Sequence, residues 1–207
     1  MQRTYFDMDP WYLKYLEDGI LDWPGYHQST ERMLLSRIVA AIRLRRPARI
    51  LDAGCGGGNF TLEYATSEQI VQGFDYSKVA IELAHAKQNP AGVEFFEADA
   101  LDLRSYDAGP FDLIVAKDLL HFIKGEDRKD LLENLACALT DSGTLFLSTL
   151  VLSDEKDQEL QLSSTPPLLR LECAEIESEI RESGLRVGFF MNTAPGVRIY
   201  ELHKRVT

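Results

Sequence analysis

From Ala48 onward the chain alternates short apolar runs with helical stretches, and this alternation constrains the fold more than any other feature. The apolar runs cover residues 49–52, 70–75, 93–97, 111–116 and 143–150. Helical patterns fill 60–65, 77–87 and 128–139, and a shorter connection links the third run to the fourth. Strand followed by helix, repeated, implies a parallel sheet whose right-handed crossovers cover both faces. Two later runs, 185–191 and 197–203, are joined by a tight loop containing Pro195 and Gly196. That loop predicts a hairpin, which brings antiparallel pairing into the sheet. The expected class is therefore α/β: a doubly wound, mostly parallel seven-stranded sheet with a C-terminal antiparallel hairpin strand and helices on both faces. Residues 153–171 are polar and then carry Pro166 and Pro167, so they read as a loop or flap ahead of a helix over 172–183.

Upstream of the sheet, Ser29 is placed to cap a helix in which Met33, Leu34, Ile38, Ala41 and Ile42 recur at helical spacing. The basic cluster at 43–49 reads as the solvated end of that helix, stopped by Pro47. Residues 1–28 are different in kind. They hold Tyr5, Phe6, Trp11, Tyr12, Tyr15, Trp23 and Tyr26 among the acids Asp7, Asp9, Glu17, Asp18 and Asp22. Disordered segments are poor in aromatics. Residues 1–28 are thus expected to form an ordered lid ahead of a main domain at 29–207, with Tyr12, Trp23 and Tyr26 facing a ligand. Packing on the outside of the sheet or in a dimer contact is the competing expectation.

The 207 residues carry a net charge of −11, which opposes binding to a phosphate backbone. No apolar run is long enough to cross a membrane, and the N-terminus has no apolar leader segment. Cys55, Cys137 and Cys173 are odd in number and far apart, with no CxxC pair, so neither a disulfide framework nor a zinc site is expected. The simplest setting is a reducing cytoplasm, for a monomer or homodimer.

The stretch LDAGCGGGNF, residues 51–60, follows the first strand at the position where open parallel sheets bind ligands. It fails as a dinucleotide fingerprint, because Asn59 stands at the third glycine position. It fails as a P-loop, because Gly58-Asn59-Phe60 replaces Gly-Lys-Ser/Thr. Asp52 at its entrance would repel a pyrophosphate and attract a cation.

The same stretch resembles the signature E/D-x-G-x-G-x-G of class I S-adenosylmethionine-dependent methyltransferases. The resemblance continues through IVQGFDYS, VEFFEADALDL, FDLIVAKDLLHFI and ALTDSGTLFLSTL, and covers roughly residues 30–205. It implies a cofactor site made by Asp52, Gly54, Cys55, Gly56, Asp75, Tyr76, Asp99, Ala100 and Lys117. Asp75, 21 residues after Gly54, would accept the ribose hydroxyls and Asp99 would meet the adenine amino group. The backbone at Lys117 would touch the methionine part. Cys55 would be a small lining residue rather than a nucleophile, since the loop offers no base. S-adenosylmethionine carries a sulfonium and an amino group, which suits Asp52 and a nearby aromatic segment. The small-molecule acceptor would lie past the fourth strand, near Asp118 and His121, with His121 the better general-base candidate by ordinary pKa. No metal site is expected, because the later turn is Asp141-Ser142 rather than an Asp-Asn pair. A catalytically silent relative that binds the cofactor as a partner protein is the alternative function.

Overall fold

The computed structural model describes residues 8–18, 28–102, 109–125, 127–152, 171–193 and 196–205. Seven strands form one sheet: β1 Arg49–Ala53, β2 Ile70–Asp75, β3 Val93–Glu97, β4 Phe111–Lys117, β5 Leu139–Leu150, β6 Leu185–Asn192 and β7 Val197–Lys204. Their order is β3-β2-β1-β4-β5-β7-β6. The first five run parallel, while β7 pairs antiparallel with both β5 and β6. The helices are α1 Asp9–Asp18, α2 Gln28–Arg45, α3 Asn59–Tyr64, α4 Lys78–His85, α5 Asp127–Ala138 and α6 Cys173–Glu182, with a 3-10 turn at Leu120–Phe122.

Alternation along each strand sends successive side chains to opposite faces. Ile50, Leu113, Val115, Phe146 and Ile199 pack with Leu34, Ile38 and Ile42 of α2 and with Phe60 and Tyr64 of α3. Leu51, Ala53, Ile114, Ala116, Leu145 and Leu147 face the other way, onto Leu131 and Leu135 of α5 and Ile176 and Ile180 of α6. Both faces of the central strands are therefore sealed, which explains their nearly continuous apolar sequence.

Two local expectations shift. The helix expected to be capped by Ser29 begins at Gln28, a difference within the usual uncertainty of helix ends. The expected turn at Asp141-Ser142 is absorbed into β5, whose pairing with β4 jumps from Phe111↔Leu139 to Leu113↔Thr144. The extra residues form an irregularity at the strand's start instead of a separate turn.

Candidate active site

The reversal of strand order lies between β1 and β4, which run parallel side by side. A cavity of about 520 Å³ opens at their carboxyl ends. All eleven residues singled out in the sequence line it: Asp52, Gly54, Cys55, Gly56, Asp75, Tyr76, Asp99, Ala100, Lys117, Asp118 and His121.

The glycine loop is folded onto its neighbours by its own backbone. Gly54 N–H and Cys55 N–H both donate to the Phe74 carbonyl at 2.9 Å, and Gly58 N–H donates to the Cys55 carbonyl at 3.0 Å. Gly56 N–H donates to Asp75 Oδ2 at 3.0 Å. Gly54 and Gly56 have φ of 73° and 54°, in the left-handed region that other residues enter at a cost. A Cβ on Gly56 would lie 2.8 Å from the hydroxyl of Tyr12. Burial pushes the Cys55 thiol up, with Asp52 and Asp75 adding to the effect, so the thiol stays protonated.

The three acids at the strand ends are held differently. Asp52, 2 % exposed, accepts from the Thr61 and Tyr64 hydroxyls, both at 2.7 Å and both on Oδ2. Its Oδ1 keeps its acceptor capacity. Burial raises its carboxyl against the pull of those hydroxyls and of Lys117. Asp75 accepts from Ser77 N–H at 2.9 Å as well as from Gly56. Burial pushes it up to about 6, although those two N–H groups work the other way. Asp99 accepts from Leu101 N–H at 2.9 Å, a turn contact that fixes its side chain after β3.

Residues beyond these eleven complete the wall. Met8 and Tyr12 line the cavity because α1 packs on α4. Met8 N–H donates to the Tyr76 hydroxyl at 2.7 Å, and the Ser77 hydroxyl donates to Asp9. Tyr12 was expected to face the ligand and does line the cavity; Trp23 and Tyr26 lie outside the described residues. Glu31 enters from α2, Phe60 and Glu63 from α3, Lys87 from beyond α4, and Phe122, Ile123 and Leu150 from the far side. No sequence pattern marks these positions, because each reaches the cavity only through tertiary packing.

Past β4 the backbone turns through Asp118, whose φ is 55°. Its N–H donates to the Ser148 carbonyl, and its carboxylate accepts from the Ser148 hydroxyl at 2.9 Å. Lys117 Nζ lies 3.1 Å from Asp118 Oδ2. Burial would raise the Asp118 carboxyl, but Lys117 and His121 outweigh it and hold it below the usual range. His121 is 4 % exposed and stacks on Phe122 at 4.5 Å between ring centroids. Its Nδ1 accepts from Leu150 N–H at 3.4 Å, a long contact, so in the neutral ring the proton sits on Nε2. Burial pushes the imidazole down to about 4, against the pull of Asp118. The general-base expectation for His121 rested on an ordinary pKa, and its buried position removes that basis. No cluster able to hold a metal occurs among the described residues.

Residues 50–143 match the family model for a methyltransferase domain. The chain is 32 % identical over 103 residues to the ubiquinone biosynthesis O-methyltransferase of Coxiella burnetii, covering 49 % of this chain and 43 % of that one. These matches support a class I S-adenosylmethionine-dependent methyltransferase domain over residues 50–143. In fold, it resembles a chain of the complex between the Haloferax volcanii Trm112 methyltransferase activator and the putative methyltransferase. That match has TM-score 0.73 and 16 % identity, and covers 99 % of both chains. It also resembles the magnesium protoporphyrin IX methyltransferase of Synechocystis PCC 6803, solved with bound SAH. There the TM-score is 0.68 at 19 % identity, over 85 % of this chain and 84 % of that one. The chain spans less than half the length of the curated O-methyltransferases it matches.

The cavity suits a cationic group. Among the described residues six carboxylates line it, from Glu31, Asp52, Glu63, Asp75, Asp99 and Asp118, against the lysines Lys87 and Lys117. Gly56 has no room for a side chain where the backbone must be approached closely.

Proposed function

We propose that the chain transfers the methyl group of S-adenosylmethionine to an oxygen of a small molecule. The observation that supports this most strongly is one continuous cavity. It joins the glycine loop and the acids Asp75 and Asp99 to a wall of His121, Phe122, Ile123 and Leu150. Asp75 would hold the ribose hydroxyls through its remaining lone pairs, and Tyr76, Asp99 and Ala100 would flank the adenine. When bound, the cofactor supplies an electrophilic methyl group on a positively charged sulfur. The apolar wall would orient the acceptor and exclude water, the main contributions an in-line displacement needs. His121 Nε2–H would donate a hydrogen bond to an acceptor oxygen that has already given its proton to water, rather than take that proton itself. Asp118 is a weak base for the same reason that Lys117 stabilises its charge. Positioning thus does more than proton removal, and the pH profile of transfer should lack a limb near the ordinary histidine pKa. An oxygen acceptor agrees with that donor and with the activity named for the Coxiella relative. The segment 1–28, through Met8 and Tyr12, would act as the lid.

The test is calorimetric titration with S-adenosylmethionine, followed by incubation with a panel of small phenols, alcohols and carboxylic acids. Release of S-adenosylhomocysteine that depends on one acceptor is the expected result. Tight binding with no release against any of them would overturn the transferase reading, and absence of binding would overturn the site.

A further inference from the structure

The outer strands of the sheet, β3 and β6, are finished differently. β3 carries Glu94 and Glu97, both exposed, and charges of this kind keep other strands from adding to an edge. β6 reads LRVGFFMN, with no acid, no proline and a single charge, Arg186. Its Phe189 and Phe190 are 39 % and 48 % exposed. An edge strand presents a row of backbone N–H and C=O groups, which is a template for one more strand.

The register with β7 shows how the side chains of β6 divide. Arg186 pairs with His203 and Phe189 with Glu201. His203 and Glu201 are two residues apart and share a face, so Arg186 and Phe189 share it too. The extra residue is taken up around Gly188, where the pairing is irregular. On this face, Arg37 of α2 lies over the Phe189 ring at 3.9 Å and reaches Glu201 at 2.5 Å. Arg45, also of α2, reaches the same carboxylate at 3.4 Å. Two guanidiniums on one carboxylate leave a positive charge in excess. Arg186 adds a second, being exposed and without an ion pair among the described residues. The opposite face is apolar and balanced. Val187 pairs there with Leu202 and Phe190 with Tyr200. Arg198 lies over the Phe190 ring at 4.6 Å, and Glu177 neutralises it at 3.1 Å.

We infer that β6 takes an added strand from a partner protein: an extended segment with carboxylates on one face and apolar side chains on the other. Backbone hydrogen bonds along the edge hold it, and the alternating side chains select it. Its carboxylates meet Arg186 and the excess charge of Arg37 and Arg45, and its apolar side chains pack beside Val187 and Phe190. A net charge of −11 repels such a segment elsewhere on the protein, so the basic strip confines it to this edge. A second copy is a poorer occupant, because pairing β6 with its own equivalent sets cation against cation across the seam. The inference is independent of the reading of the cavity.

The probes are synthetic peptides of the length of β6, eight residues, in which Glu alternates with Val, Ile or Phe. Fluorescence anisotropy with the full chain should show saturable binding that weakens as salt rises. The same peptides with Lys in place of Glu should not bind. N-methylation of alternate backbone amides should abolish binding, because an added strand needs those N–H groups. Arg186→Glu should weaken the Glu peptides by about tenfold and give the Lys peptides measurable affinity. Phe190→Thr should weaken the Glu peptides severalfold. Arg186→Glu should leave the thermal midpoint and S-adenosylhomocysteine affinity unchanged, which separates this edge from the cavity. Absence of saturable binding by any Glu peptide would overturn the proposal. So would equal binding of Lys peptides or N-methylated peptides, or unchanged affinity in Arg186→Glu. Displacement of the peptide by a short oligouridylate would assign the strip to nucleic acid instead. A dimer of the unaltered protein by light scattering that becomes monomeric in Arg186→Glu would give the edge to a second copy and overturn it as well. If Phe190→Thr does not fold, the exposed Arg186→Glu decides alone.

Discussion

The two halves of the cavity are held together in different ways. At the ends of β2 and β3, the acids are fixed by backbone N–H groups of nearby turns and of the glycine loop: Asp75 by Ser77 and Gly56, Asp99 by Leu101. On the β4-β5 side, side chain meets side chain across the fold: Lys117 with Glu31 and Asp118, Asp118 with Ser148, His121 with the Thr149–Leu150 segment. The first arrangement follows from strand ends and turns, and any sequence with that pattern would build it. The second depends on which side chains happen to meet, so it can vary without disturbing the sheet. That difference matches the division of labour proposed above, with the cofactor's nucleoside at the strand-end turns and a particular acceptor at the β4-β5 wall.

Substitutions on the backbone-held side should have the largest effect on cofactor binding. Gly56→Val puts a branched side chain at positive φ and 2.8 Å from the Tyr12 hydroxyl. It should abolish detectable binding of S-adenosylhomocysteine while the far-UV circular dichroism is retained. Normal binding by a folded variant would show that the loop is misplaced.

The proposed lid sharpens the comparison, because its Met8 and Tyr12 pack with Tyr76 and Leu83 on one side and Phe122 on the other. Deleting residues 1–26 removes Met8 and Tyr12 from the cavity wall and lets water in. Methyl transfer should fall by more than roughly a hundredfold in a protein that still folds. Loss of stability or a changed oligomeric state, read by thermal melting and light scattering, would assign the segment to packing. Full activity in a stable monomer would remove both roles.

Asp75→Ala should weaken S-adenosylhomocysteine by about tenfold or more, since two charge-assisted hydrogen bonds are lost. An unchanged calorimetric affinity would take the ribose away from this residue. Its titration gives a related prediction. Its folded pKa is about 6, above the ordinary 3.8, so the unliganded protein binds this proton more tightly than the unfolded chain does. The linked stability is present at low pH and is lost as pH rises from 3.8 through about 6, a change of about 3 kcal/mol. Ribose hydroxyls prefer the ionised form, so ligand affinity should run the opposite way and weaken as pH falls through about 6. A flat affinity profile between pH 5 and 7, measured with S-adenosylhomocysteine, would contradict this.

The smallest effect is expected at Tyr64, which touches the site only through Asp52. Tyr64→Phe removes one of two hydroxyls from a buried carboxylate and should cost about 1–3 kcal/mol of stability in urea denaturation. A loss of ligand affinity comparable to that of Asp75→Ala would mean that Tyr64 orients Asp52 for the ligand rather than for the fold.

The same contrast explains what could be read from the sequence. β2 and β3 match their apolar runs residue for residue, and the other strands differ only at their ends, because alternation and punctuation are local signals. The eleven proposed site residues meet in one cavity because strand order alone brings carboxyl ends together. Glu31, Met8 and Lys87 could not be found this way, since nothing local tells a helix residue that it will reach a cavity. The pKa of His121 was equally hidden. The imidazole looks ordinary in sequence, and only its burial behind Phe122 and Leu150 drives it down to about 4.

The central claim, that one cavity holds the cofactor against β1-β2-β3 and presents its methyl group to the β4-β5 wall, is tested most directly by a crystal structure with S-adenosylhomocysteine. The account predicts ribose hydroxyls on Asp75, adenine beside Tyr76 and Asp99, and the sulfur turned toward His121, Phe122 and Leu150. A ligand bound outside the cavity, or one with its nucleoside against the β4-β5 wall, would contradict it.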